Sequence, residues 1–202
     1  MMVIMYSKAT LSVAHRKQLT HERIVDVASR AIRRSGYGGA GVADIMKEAG
    51  LTHGGFYAHF PSRDALLAEA GGRAYAESFA VASALAEAAP PGQALLAIMH
   101  AYMSSEHIAS IESGCPISAL GSEMPRQALE VRHAATAHIR RMIDLFARQM
   151  PERGDARGHE LAMSLVCALI GTTLLARVVD DPDLSTALCA ATLKQFSPAA
   201  DK

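Results

Sequence analysis

Two short apolar segments on either side of Gly50 constrain the fold more than any other feature of this 202-residue chain. Before the glycine, residues 42–49 place four apolar side chains at i, i+3, i+4 and i+7, the spacing of one buried helix face. After it, Phe56 and Phe60 are four residues apart, so both can anchor a second short helix (53–59) to a core. Gly50 itself can adopt the left-handed conformation that ends a helix. The pattern predicts a helix-turn-helix.

The remainder of the chain also has helical periodicity and no strand alternation. Ala, Leu and Met are frequent, and Trp is absent, a composition that favours helices over strands. Thr20 is a plausible N-cap for a first helix that ends near Gly36, and Ser62 for a long helix toward Ala89. Later helices are predicted over about 93–111, 116–123, 125–150, 156–179 and 183–196. We therefore expect an all-α protein.

Charge divides the chain unevenly although its net charge is zero. Residues 1–63 contain nine Lys or Arg and four Asp or Glu, whereas the remainder contains eleven and sixteen. A basic N-terminal part suggests a polyanionic partner for that part. We predict a flexible basic arm (1–19), a three-helix domain (20–66, with linker helix 63–89) and a helical regulatory and dimerisation domain (67–202). Lys8, His15, Arg16 and Lys17 of the arm are candidates for contact with DNA, although a solvated tail is equally consistent with them.

The residues after Gly50 suit insertion into duplex DNA. Thr52 offers a hydroxyl at the start of the segment, and His53, Gly54 and Gly55 form a thin leading edge for a major groove about 12 Å wide. Tyr57 and His59 can donate hydrogen bonds to phosphate oxygens.

The string Leu51-Thr52-His53-Gly54-Gly55-Phe56-Tyr57-Ala58-His59-Phe60-Pro61-Ser62-Arg63 resembles the TetR family of repressors. Residues 23–28 and 42–50 are similar to the first two helices of that family. The resemblance implies phosphate contacts by Thr52, Tyr57, His59 and Arg63, with His53, Gly54 and Gly55 against base edges. Arg63 stands where the family usually has Lys, and Gly55 where it often has Thr, Ser or Ala.

The resemblance further implies a homodimer formed by the last two helices and a small-molecule site after about residue 90. Two-fold symmetry would space two recognition helices by one DNA turn, about 34–36 Å. The penultimate helix is apolar on more than one side, which independently favours a partner. Candidate effector-binding residues, for which ordinary core packing is the alternative, are Met99, Tyr102, Met103, His107, Ile111, Met142 and Phe146.

Cys115 precedes Pro116, so it is a candidate N-cap whose thiolate a helix N-terminus would favour. Sensing of oxidants or electrophiles through Cys115 is one alternative to a small-molecule inducer, and a ligand-independent DNA architectural protein is another. We find no catalytic or metal-binding pattern and expect no enzyme activity and no cofactor. The uncharged stretch 161–176 is short for a membrane span of about 20 residues, so we expect a cytoplasmic protein without membrane contact.

Overall fold

A computed structural model describes residues 13–150 and 155–197, and within these ranges it is helical without β-strands. The α-helices are α1 (Val13–Gly39, interrupted at Gly36), α2 (Val42–Glu48), α3 (Arg63–Ala88), α4 (Ala94–Tyr102), α5 (Ser105–Ala109), α6 (Pro116–Leu120), α7 (Leu129–Ala147), α8 (Ala156–Val178) and α9 (Pro182–Phe196). Short 3-10 helices span His53–Ala58 and Met124–Arg126. The fold is therefore all-α, as the sequence predicts.

The first helix begins at Val13, seven residues before the predicted start. Thr20 does not cap it, because its hydroxyl donates to the backbone oxygen of Arg16 at 2.9 Å inside the helix. Residues 13–19 of the predicted flexible arm are thus helical, which corrects that expectation for this part. Residues 1–12, including Lys8, lie outside the described residues.

Two apolar cores divide the described residues. The first joins α1, α2, the 3-10 helix His53–Ala58 and the start of α3, and it also takes in Leu120 and Val131 from the later part of the chain. The second joins α4 and α7–α9 with the C-terminal half of α3. Leu120 is fully buried in the first core, so the N-terminal module packs directly against the segment around α6.

The long helix α3 belongs to both cores. Ser62 caps it as predicted, because the Ser62 side chain accepts a hydrogen bond from the Ala65 amide at 3.1 Å. Leu66 and Leu67 are buried in the first core and Ala82 in the second. One continuous helix therefore spans the predicted boundary between residues 66 and 67.

Three of the later predicted helices are wrong in their extent, and one of them, expected over 116–123, ends at Leu120. The helix expected over 93–111 breaks at Ser104, which caps α5 by accepting a hydrogen bond from the His107 amide at 3.1 Å. The helix expected to begin at Pro125 begins at Leu129, and Pro125 lies in the 3-10 helix. At Ser104 a local cap ends the helix where apolar periodicity alone would continue it, and at Pro125 a 3-10 turn delays the start of the helix.

Helix α8 is long and apolar enough to cross a membrane by length and composition. Its buried face includes Ala162, Leu165, Leu169 and Thr173, which pack within the protein. The core helix of a soluble protein meets the same length and composition criteria.

Candidate nucleic-acid interface and effector cavity

The turn after α2 is a Schellman motif, which fixes the direction of the next segment. The Gly50 amide donates to the Lys47 oxygen at 3.0 Å, and the Leu51 amide donates to the Met46 oxygen at 2.9 Å. Gly50 has φ +70°, a value that side chains with a Cβ rarely adopt. The turn therefore depends on glycine at this position.

The predicted leading edge faces solvent. Thr52, His53 and Gly54 are exposed, and Gly55 is half-buried. Phe56 behind them is buried and stacks on Phe60 with ring centroids 5.7 Å apart. The segment thus exposes small and polar residues, while the buried Phe56 holds it against the core.

Tyr57 and His59 occupy different environments. Tyr57 is 74% exposed, so its hydroxyl is free to reach a phosphate. His59 is half-buried, and its Nδ1 atom is buried without a hydrogen-bond partner among the described residues. Burial, then the positive charges of His21 and Lys17, lower the pKa of His59. The imidazole is therefore biased toward its neutral form.

His21 adds a residue to this surface that sequence reasoning did not single out. Its Nε2 atom lies 2.7 Å from the Glu69 carboxylate, and its ring stacks on Phe60 at 4.4 Å. The His21 and His59 rings are 6.3 Å apart. Since α1 contributes both His21 and Lys17, the basic edge combines α1 with the segment after Gly50.

Arg63 does not point away from the protein as a phosphate contact would. Its Nη2 group donates to the backbone oxygens of Tyr37 and of Ala40, the latter at 3.2 Å. The Tyr37 oxygen belongs to the C-terminal end of α1, and the Ala40 oxygen belongs to the loop that follows. The side chain thereby fastens the start of α3 to the C-terminal end of α1.

A cavity of about 490 Å³ lies between α3, α4, α5 and the segment after α5. Three of the seven predicted effector residues line it, namely Tyr102, His107 and Met142. Its apolar wall includes Val81, Ala82, Leu85 and Ile98, and its polar wall consists of Ser78, Ser104, Glu106, Ser110 and Ser113. A volume of this size is in the range of small-molecule sites.

The other predicted effector residues lie elsewhere. Phe146 lines a second cavity of about 20 Å³ together with Tyr102 and Met142. Met99 and Met103 are buried but line neither cavity, and Ile111 is 42% exposed outside both, so these three expectations are not supported by the geometry. Ser104, Ser110 and Ser113 were not predicted to line the cavity, because a continuous helix was expected over 93–111. The break before α5 is what turns these serines toward α3.

His107 forms the floor of the larger cavity. Its ring lies 4.5 Å from that of Tyr102, and its Nε2 atom is buried without a hydrogen-bond partner in the described part of the chain. Burial, followed by the charge of Arg177, lowers the pKa of His107 to about 4. The imidazole is therefore biased toward its neutral form, and one of its ring nitrogens lacks a hydrogen-bond partner.

Cys115 is buried at the N-cap of α6, and its side chain makes no capping hydrogen bond. It lines the smaller cavity with His138, whose Nδ1 atom is buried and unpartnered within residues 13–150 and 155–197. The half-buried guanidinium of Arg177 interacts electrostatically with both Cys115 and Tyr102. Among the described residues, no group of three or more His, Cys, Asp or Glu side chains is placed to hold a metal ion.

The last two helices carry an exposed apolar face. Its members are Met163, Leu174, Leu175 and Val178 of α8 and Leu184 of α9, which are between 40% and 70% exposed. Cys167 is exposed on the same helix.

Two family models match the chain. Residues 24–70 match the model for bacterial regulatory proteins of the tetR family, and residues 91–184 match the model for the C-terminal domain of LmrA/YxaF-like transcriptional regulators. No curated protein matches the chain.

Solved structures share the fold over most of their length. A TetR-family regulator from Agrobacterium tumefaciens is 24% identical, covers 90% of this chain and 100% of its own, and has a TM-score of 0.75. A TetR-family regulator from Cytophaga hutchinsonii is 19% identical, covers 92% of this chain and 95% of its own, and has a TM-score of 0.77. One from Chloroflexus aurantiacus is 25% identical over 90% and 96%, with a TM-score of 0.73.

Proposed function

The chain belongs to the TetR family of DNA-binding transcriptional regulators, which are not enzymes, and from this premise we propose that it is a repressor released from its operator by a small molecule. The observation that carries the proposal is the combination of an exposed leading edge after Gly50 with a cavity of about 490 Å³ in the second core. We place the protein in the cytoplasm, where its DNA lies.

The geometry after Gly50 supports operator binding by Thr52, His53, Gly54, Gly55, Tyr57 and His59. Small residues at 54 and 55 let the edge approach the base pairs closely, which leaves His53 as the side chain able to read a base edge. Tyr57, being exposed, supplies a phosphate contact that sets orientation. Operator choice then depends partly on DNA shape.

The cavity supports binding of a ligand with an apolar body and polar groups at one end. The apolar wall is formed by α3 and α4, while His107 and three of the serines, Ser104, Ser110 and Ser113, belong to α5 and the residues that flank it. A ligand weakens DNA binding only to the extent that it prefers a state with wrongly spaced recognition helices.

A homodimer through α8 and α9 completes the proposal. The exposed apolar residues of both helices supply a face that a second copy can cover. The dimer then presents two leading edges to two half-sites.

The test uses DNA ligands selected from random duplexes by the protein itself, followed by fluorescence anisotropy. We expect Tyr57→Ala combined with His59→Ala to weaken binding at least tenfold, because each removes a phosphate contact of about 1 kcal/mol or more. His133→Ala, at an exposed histidine of α7, is the matched control. A folded double variant that binds as tightly as the parent overturns the DNA-binding assignment.

Ligand response is tested separately with the uncharged dye Nile red, whose fluorescence rises in apolar cavities. We expect it to bind the parent and to bind Ala101→Phe, which narrows the cavity, more weakly. Compounds that displace the dye are then added to the DNA complex. If displacing compounds leave DNA affinity unchanged, the protein is a ligand-independent DNA-binding protein.

A second candidate function is redox or electrophile sensing by Cys115. The observation that favours it is geometric, because buried Cys115 lies at the N-cap of α6 and lines the smaller cavity together with Tyr102 and His138. In this step the Cys115 sulfur, as thiolate, attacks one oxygen of hydrogen peroxide and the O–O bond breaks, so that one oxygen stays on the sulfur as sulfenic acid and the other leaves as hydroxide, which takes up a proton to form water. Mass spectrometry after mild peroxide treatment tests this, with exposed Cys167 as internal control, and oxidation of Cys167 alone contradicts it.

A further inference from the structure

One segment of the chain touches both the cavity and the N-terminal module. This segment, residues 110–123, is called the latch here. Ser110, Ser113 and Gly114 of the latch line the larger cavity. At its other end Leu120 is fully buried in the core of the N-terminal module.

Arg34 joins the latch to the helix-turn-helix through one guanidinium. Its Nη1 donates to Glu112 of the latch at 3.0 Å, and its Nη2 donates to Glu48 of α2 at 3.0 Å. Glu48 is the last residue of α2 and lies just before the turn that orients the leading edge. A displacement of Glu112 therefore acts on α2 through a single side chain.

Two neighbouring contacts hold α1 against the latch. The buried Arg33 donates to Glu77 of α3 at 2.6 Å and to the Gly114 oxygen at 3.5 Å. The Glu123 carboxylate accepts hydrogen bonds from the amides of Tyr37 at 3.0 Å and Gly38 at 3.4 Å. The latch is thus bound to α1 at both of its ends.

The latch has no free volume at Gly114. A Cβ added there would lie 2.6 Å from the Ser110 oxygen and 2.7 Å from an Arg177 Nη2 atom. The Arg177 Nη2 atom in turn donates to the His107 oxygen, at the cavity floor. Anything that occupies the polar end of the cavity and moves this wall must move Gly114 and Glu112 with it.

We propose that the latch transmits occupancy of the cavity to the helix-turn-helix, with Arg34 as the residue that couples Glu112 to Glu48. This inference rests on the proposed function, in which a cavity ligand changes DNA affinity. It assigns the coupling to specific side chains beyond the shared helix α3. The test below uses no ligand and no DNA, so its failure is distinct from failure of the proposed function.

The substitution Gly114→Ala displaces the latch in place of a ligand, and native-state hydrogen exchange of α2 is the readout. We expect exchange in Val42–Glu48 to rise about threefold or more, the equilibrium effect of losing an exposed ion pair. Gly72→Ala, where a Cβ meets no atom within 4 Å, is the matched control. Leu165→Ala, in the core of α8, controls for general loss of stability.

Coupling through Arg34 is then tested by repeating Gly114→Ala in Glu112→Gln and in Arg34→Met backgrounds. We expect the increase in α2 hydrogen exchange caused by Gly114→Ala to disappear in both backgrounds. It should persist in a Glu106→Gln background, which removes another carboxylate at the edge of the cavity and serves as the control. If Gly114→Ala does not fold, Ser113→Phe displaces the same wall and is interpreted in the same way. The proposal is overturned if Gly114→Ala speeds hydrogen exchange in residues 105–120 but leaves that of α2 unchanged. It is also overturned if Gly114→Ala raises α2 exchange equally in all backgrounds.

Discussion

The guanidinium of Arg63 donates to the backbone oxygen of Tyr37, which joins the first turn of α3 to the C-terminal end of α1. A second acceptor, the Ala40 oxygen, lies 3.2 Å from the same nitrogen. The Tyr37 oxygen lies at the C-terminal end of α1, where carbonyl groups lack intrahelical partners, and the Ala40 oxygen lies in the loop that follows, so the guanidinium supplies donors that water would otherwise have to supply.

This contact predicts that Arg63→Gln weakens folding more than it weakens the electrostatic part of DNA binding. We expect the free energy of unfolding to fall by about 1–2 kcal/mol, since charged donors to backbone oxygens are lost. The slope of log K against log salt should stay unchanged. Urea unfolding and anisotropy at several salt concentrations measure the two quantities, with exposed Arg30→Gln as control. A slope smaller by about 0.9 with unchanged stability would show a phosphate contact instead.

From the surroundings of His59 we predict that its imidazole takes up a proton when the protein binds DNA. Its pKa is lowered in the free protein by burial and by His21 and Lys17, whereas a phosphate beside the ring favours the charged form. DNA affinity should therefore rise as pH falls below about 7, by at most roughly tenfold per pH unit for one proton. Anisotropy across this range tests it. His59→Asn should flatten the profile and His133→Asn should not, and a parent profile flat in pH contradicts the idea.

From the burial of His138 we predict that the protein loses stability in mild acid. Burial, then Arg141, lowers its pKa to about 4, below the ordinary value near 6.5. The unfolded chain therefore binds the proton more readily, so stability is full above about pH 6.5 and falls as pH drops toward 4. The loss is about 3 kcal/mol by pH 4 for this residue, at about 1.4 kcal/mol per pKa unit. His107, whose pKa is also lowered to about 4, acts in the same direction.

The variant His138→Phe separates this contribution from general acid effects. The phenyl ring cannot titrate and can keep the stacking on Tyr75, whose ring centroid lies 4.9 Å from that of His138. We expect its free energy of unfolding, measured in urea between pH 7 and 4.5, to decline less than that of the parent. His133→Phe is exposed and should follow the parent. Parallel curves for parent and His138→Phe would contradict the assignment.

Local signals predicted most of the N-terminal module. The apolar face through Ile24, Val27 and Ala28 is buried in α1, and Gly50 and Ser62 end and begin helices where their conformational preferences indicate. Helix caps and turns depend on residues close in sequence, so the chain alone reveals them.

Signals that depend on distant residues were missed. The break at Ser104 turns α5 toward α8, where Arg177 donates to the oxygens of Ile108 and His107 at 2.9 Å each. The sequence gives no indication that Arg177 meets a segment 69 and 70 residues earlier. For the same reason Ile111 was expected in the cavity, although it is exposed, and the serines that do line it were not.

Leu174 tests the dimer. It is 47% exposed on α8, beside Leu175 and Val178, so a charge placed there would be buried unpaired in a dimer but solvated in a monomer. Leu174→Glu should therefore give a folded monomer, measured by sedimentation equilibrium and circular dichroism, from a dimeric parent. Its affinity for a two-half-site DNA should fall far more than its affinity for one half-site, because the two recognition segments are no longer linked. Leu129→Glu, at a 57% exposed leucine of α7, should remain dimeric, and equal masses for both variants would place the interface elsewhere.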